Sequence, residues 1–134
     1  MATIERRIEL DIDADAAWAV LRDFGKAGAL FAGVLTDCER VGNTRVVTFS
    51  GGHRITELLI TLDDSRRRLV YAVVDGAFSH HCASMQIEQH GVGCTFVWVS
   101  DFIPDGTAGM VQPLVDAGCQ ALQRNLPRLA AGAT

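Results

Sequence analysis

The sequence predicts an α+β domain, a seven-stranded curved antiparallel sheet wrapped around a long C-terminal helix, with one or two short helices after the first strand. Three observations lead there. Residues 4–12 alternate, with Ile8, Leu10 and Ile12 on one face and Glu9 and Asp11 on the other, the period of a half-buried strand. Residues 34–103 then break into short runs at Gly42-Asn43, Gly51-Gly52, Asp63-Asp64-Ser65, Gly76, His90-Gly91 and Pro104-Asp105-Gly106, which reads as a series of strands joined by turns. Finally, Val111, Leu114, Val115, Gly118, Leu122, Leu126 and Leu129 form one helical stripe.

Each element follows from local chemistry. Asp13-Ala14-Asp15 offers helix caps, and Ala17, Trp18, Leu21 and Phe24 carry helical spacing through 16–24. Gly25 and Gly28 break that helix, and a second short one is expected over 27–31. Strands are expected over 34–41, 44–50, 53–62, 67–75, 79–88 and 93–103, and a closing helix over 107–129. Pro113 lies inside that helix, so a kink or a late start is expected there. One helix on one face of such a sheet is an α+β layer arrangement. With few residues to fill the concave side, a cavity between sheet and helix is expected.

The bulk numbers narrow the function. The chain has 134 residues, which fits one domain over 1–130 with a frayed tail at 131–134. Its formal charge is −4 and Arg66-Arg67-Arg68 is its one basic cluster, too little for a surface that tracks phosphates, so nucleic acid is not an expected partner. Cys38, Cys82, Cys94 and Cys119 show no CxxC or Cys-His spacing, which argues against zinc ribbons and thioredoxin-like motifs. No signal-peptide stretch or membrane span is evident, and a reducing cytoplasm is the expected setting. No glycine-rich phosphate loop occurs, so no nucleotide cofactor is implied.

Strand parity decides which polar groups face the cavity. In the segment Ser79-His80-His81-Cys82, the apolar set Ala83, Met85 and Ile87 shares the parity of His81. His81 should therefore face inward, with His80 and Cys82 outside, and adjacent histidines should not chelate a metal. A turn at His90-Gly91 would pair Met85 with Phe96, Ala83 with Trp98, His81 with Ser100 and His80 with Asp101. A loop at Asp63-Asp64-Ser65 would pair Glu57 with Tyr71, Ile55 with Val73 and His53 with Asp75, and the next turn would set Val73 beside His81. Exposed Val97 and Val99 on the outer face could serve an interaction surface or a homodimer.

Glu57, Tyr71 and His81 are thus the candidate catalytic set. A carboxylate among apolar groups is pushed toward neutral pKa, a tyrosine hydroxyl can polarise a carbonyl or donate to an enolate, and a histidine can pass the proton on. Glu57 could equally be a satisfied structural ion with Arg45 as its partner. Ligand contacts are expected from Phe31, Phe49, Val73, Met85 and Phe96, and from Trp98, Ser100, Leu114 and Leu122. A Ser79-His81-Asp75 hydrolase set lacks the strained nucleophile elbow it would need.

Several motifs, in order along almost the whole chain, carry a family likeness. They are Ile12-Asp13-Ala14 running into Ala17-Trp18, Asp23-Phe24, Gly42-Asn43-Thr44-Arg45 and Ile55-Thr56-Glu57-Leu58. Leu62-Asp63-Asp64, Arg67-Arg68-Leu69-Val70-Tyr71, Thr95 with Trp98, and Asp101-Phe102 before Pro104 complete the set. The chain resembles the helix-grip superfamily (SRPBCC) of START domains, Bet v 1-like pollen allergens and polyketide cyclase/dehydratases. It departs in having Asp15 where a proline is common, and Gly25 to Phe31 in place of a tryptophan-rich loop. The resemblance implies an internal cavity for a small hydrophobic or aromatic molecule. It implies either a cofactor-independent cyclase or dehydratase acting on a polyketide-like carbonyl compound, or a carrier without chemistry.

Overall fold

The computed structural model describes residues 2–76 and 78–132. Strand β1 (Ala2–Leu10) leads into helix α1 (Ala14–Leu21), a 3₁₀ turn at Phe24–Lys26 and the short helix α2 (Ala27–Leu30). Six strands follow: β2 (Leu35–Val41), β3 (Thr44–Phe49), β4 (Arg54–Asp63), β5 (Arg68–Val73), β6 (His80–His90) and β7 (Gly93–Ile103). A second 3₁₀ turn (Asp105–Thr107) opens into α3 (Ala108–Gly132). The strands form one antiparallel seven-stranded sheet in the order β1-β7-β6-β5-β4-β3-β2, so β1 closes one edge beside β7 and β2 forms the other. This is the helix-grip arrangement that the sequence motifs implied.

Helix α1 starts where its cap expects it, with the Asp13 carboxylate accepting from the Ala16 amide at 3.1 Å. Its outer side is tied to the β4–β5 loop. Trp18 Nε1 and Arg22 Nε both donate to Asp64 Oδ1, at 2.9 and 2.8 Å, and Arg67 Nε donates to Asp15 at 2.9 Å. Helix α3 begins five residues ahead of Pro113 and continues through it and through Pro127, so the late start expected at Pro113 does not occur. Ala131 and Gly132 belong to the helix rather than to a frayed tail, whose last two residues lie outside the described ones.

The closest approaches of α3 are to α1, α2 and β1 rather than to the central strands. Asn125 makes the joint with α2: its buried Nδ2 donates to the carbonyls of Leu30 and Ala32 at 3.1 and 3.0 Å. Supported at these places, α3 bridges the concave face of the sheet and leaves room above β3 to β7.

Two hairpin registers differ from the sequence expectation. The two-residue turn between β6 and β7 is Gly91-Val92, not His90-Gly91, because Gly91 takes the left-handed φ of +59° as the first turn residue. Every pairing moves by two: His81 lies opposite Phe102, Ala83 opposite Ser100, Met85 opposite Trp98 and Ile87 opposite Phe96. Cys82, not His80, lies opposite Asp101. Between β4 and β5 the loop is four residues long, and a bulge between Leu59 and Thr61 restores the parity. Glu57 consequently pairs with Val73, and Tyr71 pairs with Leu59. Asp75 uses its carboxylate on the Thr56 amide at 3.0 Å rather than pairing with His53. The β5–β6 register is as expected, with Tyr71 opposite Ala83 and Ala72 opposite Cys82.

Shifts by two keep each side chain on its predicted face. The outer face departs in one respect: Val97 is only 7 % exposed. It lies between Gln86 and Arg7 on the neighbouring strands, whose long side chains can cover it. The exposed large apolar residues of the strands are instead Val41 on β2, Leu58, Ile60 and Leu62 on β4 and Ile103 on β7, with Val74 just beyond β5.

Candidate functional site

The space under α3 is a cavity of about 530 Å³. Its sheet wall comprises Arg45, Val47 and Phe49 from β3, Ile55 and Glu57 from β4, Tyr71 from β5, His81 and Met85 from β6, and Trp98 and Ser100 from β7. Val111, Leu114, Val115 and Gly118 of α3 face it, and Ala27, Phe31, Val34 and Leu35 close one end. At the other end Gly51, His53, Asp75, Gly76, Met110 and Pro113 are exposed and form the rim. The opening therefore lies by Gly76 and Phe78, while at the other end Ala27, Leu30 and Phe31 are buried. Ala77, between Gly76 and Phe78, lies outside the described residues.

The polar part of the wall is built on a cross-strand pair. Arg45 lies opposite Glu57 in the β3–β4 ladder, and its Nε donates to Glu57 Oε1 at 2.8 Å. The two residues are 5 % and 8 % exposed. Arg45 Nη1 donates to the Phe24 carbonyl at 3.0 Å, and the guanidinium carbon sits 3.8 Å from the Phe24 ring centroid and 5.2 Å from that of Tyr71. Burial raises the Glu57 pKa above the ordinary carboxylate range, and the Arg45 guanidinium opposes that rise. Among the described residues Oε2 of Glu57 has no hydrogen-bond donor, and Glu57 belongs to the cavity wall.

Tyr71 lies one row further along the sheet. Burial, then the neighbouring Glu57 charge, raise its pKa, so it remains a neutral phenol able to donate. The Trp98 indole N–H points toward it without reaching hydrogen-bond geometry, and Trp98 Nε1 is buried with no partner among the described residues. His81 faces inward and His80 is exposed, as parity requires. The His81 ring meets Phe78 edge-on at 4.5 Å and Phe102 at 5.8 Å. Burial, with His80 adding to it, pushes its pKa down to about 4. It is neutral at physiological pH, and neither buried ring nitrogen has a partner among the described residues.

Of the sequence-predicted residues, Glu57, Tyr71, His81, Phe31, Phe49, Met85, Trp98, Ser100 and Leu114 lie in this wall. Val73, Phe96 and Leu122 do not. Phe96 and Leu122 have no exposed surface and pack in the core, Phe96 at 6.1 Å from Trp98, because the β6–β7 turn moves Phe96 one pair away from Met85. Val73 is the last residue of β5 and packs against the core cluster. The Ser79-His81-Asp75 set does not assemble: Asp75 is engaged with Thr56, and no described residue bonds a His81 nitrogen. Among the described residues no three of His, Cys, Asp or Glu converge on a possible metal position.

One close approach in the wall was not legible in the sequence. Gly118 was visible only as part of a stripe, yet a Cβ there would come within 2.8 Å of the Trp98 ring. The missing side chain lets that ring lie against α3.

Breaking a buried ion pair strands a charge. Arg45→Met should destabilise the fold by about 3–5 kcal/mol at neutral pH, and the double variant Arg45→Met/Glu57→Leu should recover most of it. Without Arg45 the folded-state pKa of Glu57 rises further above its unfolded value. The destabilisation should therefore be small below the ordinary carboxylate pKa of about 4.3 and grow as pH rises through the folded value. Urea denaturation across that range measures this; a loss independent of pH would contradict it.

No curated protein matches the sequence. Among solved structures, an uncharacterized protein from Bacillus thuringiensis superposes with a TM-score of 0.83 at 18% identity, covering 93% of this chain and 98% of its own. A Thermobifida fusca protein gives 0.78 at 26% identity, covering 96% and 95%. Norcoclaurine synthase from Thalictrum flavum, bound to a transition-state analogue, gives 0.74 at 19% identity, covering 95% and 94%. The family model described as polyketide cyclase/dehydrase and lipid transport matches residues 1–132. The chain belongs to that family.

Proposed function

We propose that this domain binds one small, mostly apolar molecule in the cavity, and that the molecule's polar groups meet those of the wall. The observation that carries this is the apolar space of about 530 Å³ with Arg45, Glu57 and Tyr71 in its wall. An apolar pocket with a few convergent polar groups is the general form of a small-molecule site. The family description and a norcoclaurine synthase structure in complex with dopamine and hydroxybenzaldehyde are in keeping with a small organic ligand. No described helix is long and apolar enough to cross a membrane. A reducing cytoplasmic setting accords with the free state of all four cysteines.

A second reading, proton chemistry on the bound molecule, is favoured by the position of Glu57. Its Oε2 has no hydrogen-bond donor among the described residues, its pKa is raised by burial, and the neutral Tyr71 phenol lies close by. In enolisation, cyclisation or dehydration, Glu57 would take the proton and Tyr71 would donate to the carbonyl oxygen.

Binding is tested with the uncharged fluorescent probe N-phenyl-1-naphthylamine. The wild type should bind one equivalent, and Leu114→Trp, which fills the cavity from α3, should weaken that binding by about tenfold, on the order of 1.4 kcal/mol. Equal affinity in the two proteins would place the probe elsewhere. For the second reading, Glu57→Gln should abolish turnover of a carbonyl substrate while binding persists. Turnover that survives this change would remove Glu57 as the base.

A further inference from the structure

Resting on the cavity-binding reading, we infer that Gly118 is a specificity-determining residue. It lets the Trp98 ring lie as the end wall of the cavity, and so sets the length of apolar molecule that the cavity buries.

Nothing in the helix itself asks for glycine at this position. Gly118 lies in the interior of α3, where alanine is the better helix former. It is not among the glycines with the left-handed φ that side chains avoid. The reason lies across the cavity. A Cβ at 118 would stand 2.8 Å from Cζ3 and 3.0 Å from Cη2 of Trp98, and 3.8 Å from the Phe31 ring. Carbon atoms in contact keep about 3.5–4.0 Å, so the indole already takes the room of a side chain. Trp98 stems from β7, and its ring therefore crosses from the sheet to the helix. Phe31 stands beside it, with ring centroids 5.7 Å apart, at the end of the cavity where Ala27 and Leu30 are also buried.

A methyl group at 118 would have to move either the helix or the ring. The helix is held on both sides of this position. Arg6 Nε of β1 donates to Asp116 at 2.7 Å, Asn125 bonds the Leu30 and Ala32 carbonyls, and Val115, Cys119 and Leu122 are buried. The ring yields more readily, because Cζ3 and Cη2 are the far end of one side chain. Phe96 has no exposed surface and lies 6.1 Å from the ring, so packed core resists movement to that side. The cavity is the empty space that Trp98 borders, and the ring would move into it.

A ladder of 1-alkanols from pentan-1-ol to dodecan-1-ol, each displacing N-phenyl-1-naphthylamine, measures the depth. Wild-type affinity should rise about fourfold with each added methylene until the chain reaches the rim, and stay level beyond it. In Gly118→Ala the rise should stop about one methylene earlier, so that the longest alkanols bind about fourfold more weakly while the shortest keep their affinity. Trp98→Phe removes the two carbons that the methyl group meets. The double variant Gly118→Ala/Trp98→Phe should therefore bind the longest alkanols at least as tightly as the wild type. Unchanged long-chain affinity in Gly118→Ala, an equal loss at every chain length, or a double variant no better than the single one would each overturn the inference. If Gly118→Ala no longer takes up the probe, return of binding in the double variant supports the inference and continued absence overturns it. When the probe binds the wild type and the break point does not move, only this inference falls. When the probe does not bind the wild type, the cavity-binding reading falls with it.

Discussion

The structure depends on one buried ion pair. Arg45 and Glu57 face each other across β3 and β4, and the guanidinium also holds the Phe24 carbonyl and lies against the Phe24 ring. The pair thereby joins two strands to the turn between α1 and α2. Such a pair adds little net stability compared with an apolar replacement, because both charges must leave water. Its effect is positional, since neither partner can move without stranding the other. Tyr71 is placed beside the guanidinium, and Trp98 next to Tyr71.

Around that fixed wall the cavity is a consequence of how α3 is held. The helix is supported through α1, α2 and β1, and Asn125 bonds two carbonyls of the α2 region. A side chain at position 118 would force the Trp98 ring away from the helix. The absence of one therefore sets how near the helix and β7 can come. Phe31 lies 5.7 Å from Trp98 at the inner end, and the exposed His53, Asp75 and Met110 form the rim at the other.

The order of elements and the inward faces were legible because period-2 alternation survives any register error of two residues. His81 and Glu57 face the cavity although both hairpins around them were misregistered. The turn residues were the weak step. His90-Gly91 and Gly91-Val92 are both plausible two-residue turns in composition, and the left-handed φ of Gly91 is visible only in the fold. The β4 bulge near Ile60 has no local signature, and together with the four-residue loop it seats Glu57 opposite Val73 instead of Tyr71. Phe96 and Leu122 share the parity and the stripe of true wall residues. Sequence period shows which face a residue takes, but not whether that face meets cavity or core at that height. Asn125 was unreadable for a related reason, since its partners are backbone carbonyls more than ninety positions away.

The central claim is that the cavity under α3 binds one small, mostly apolar molecule. Native mass spectrometry of the protein purified from its own host, with identification of what is released on denaturation, tests it most directly. The account predicts one equivalent of a largely apolar organic compound small enough for a space of about 530 Å³. A protein that emerges unliganded and takes up no neutral aromatic probe would contradict it.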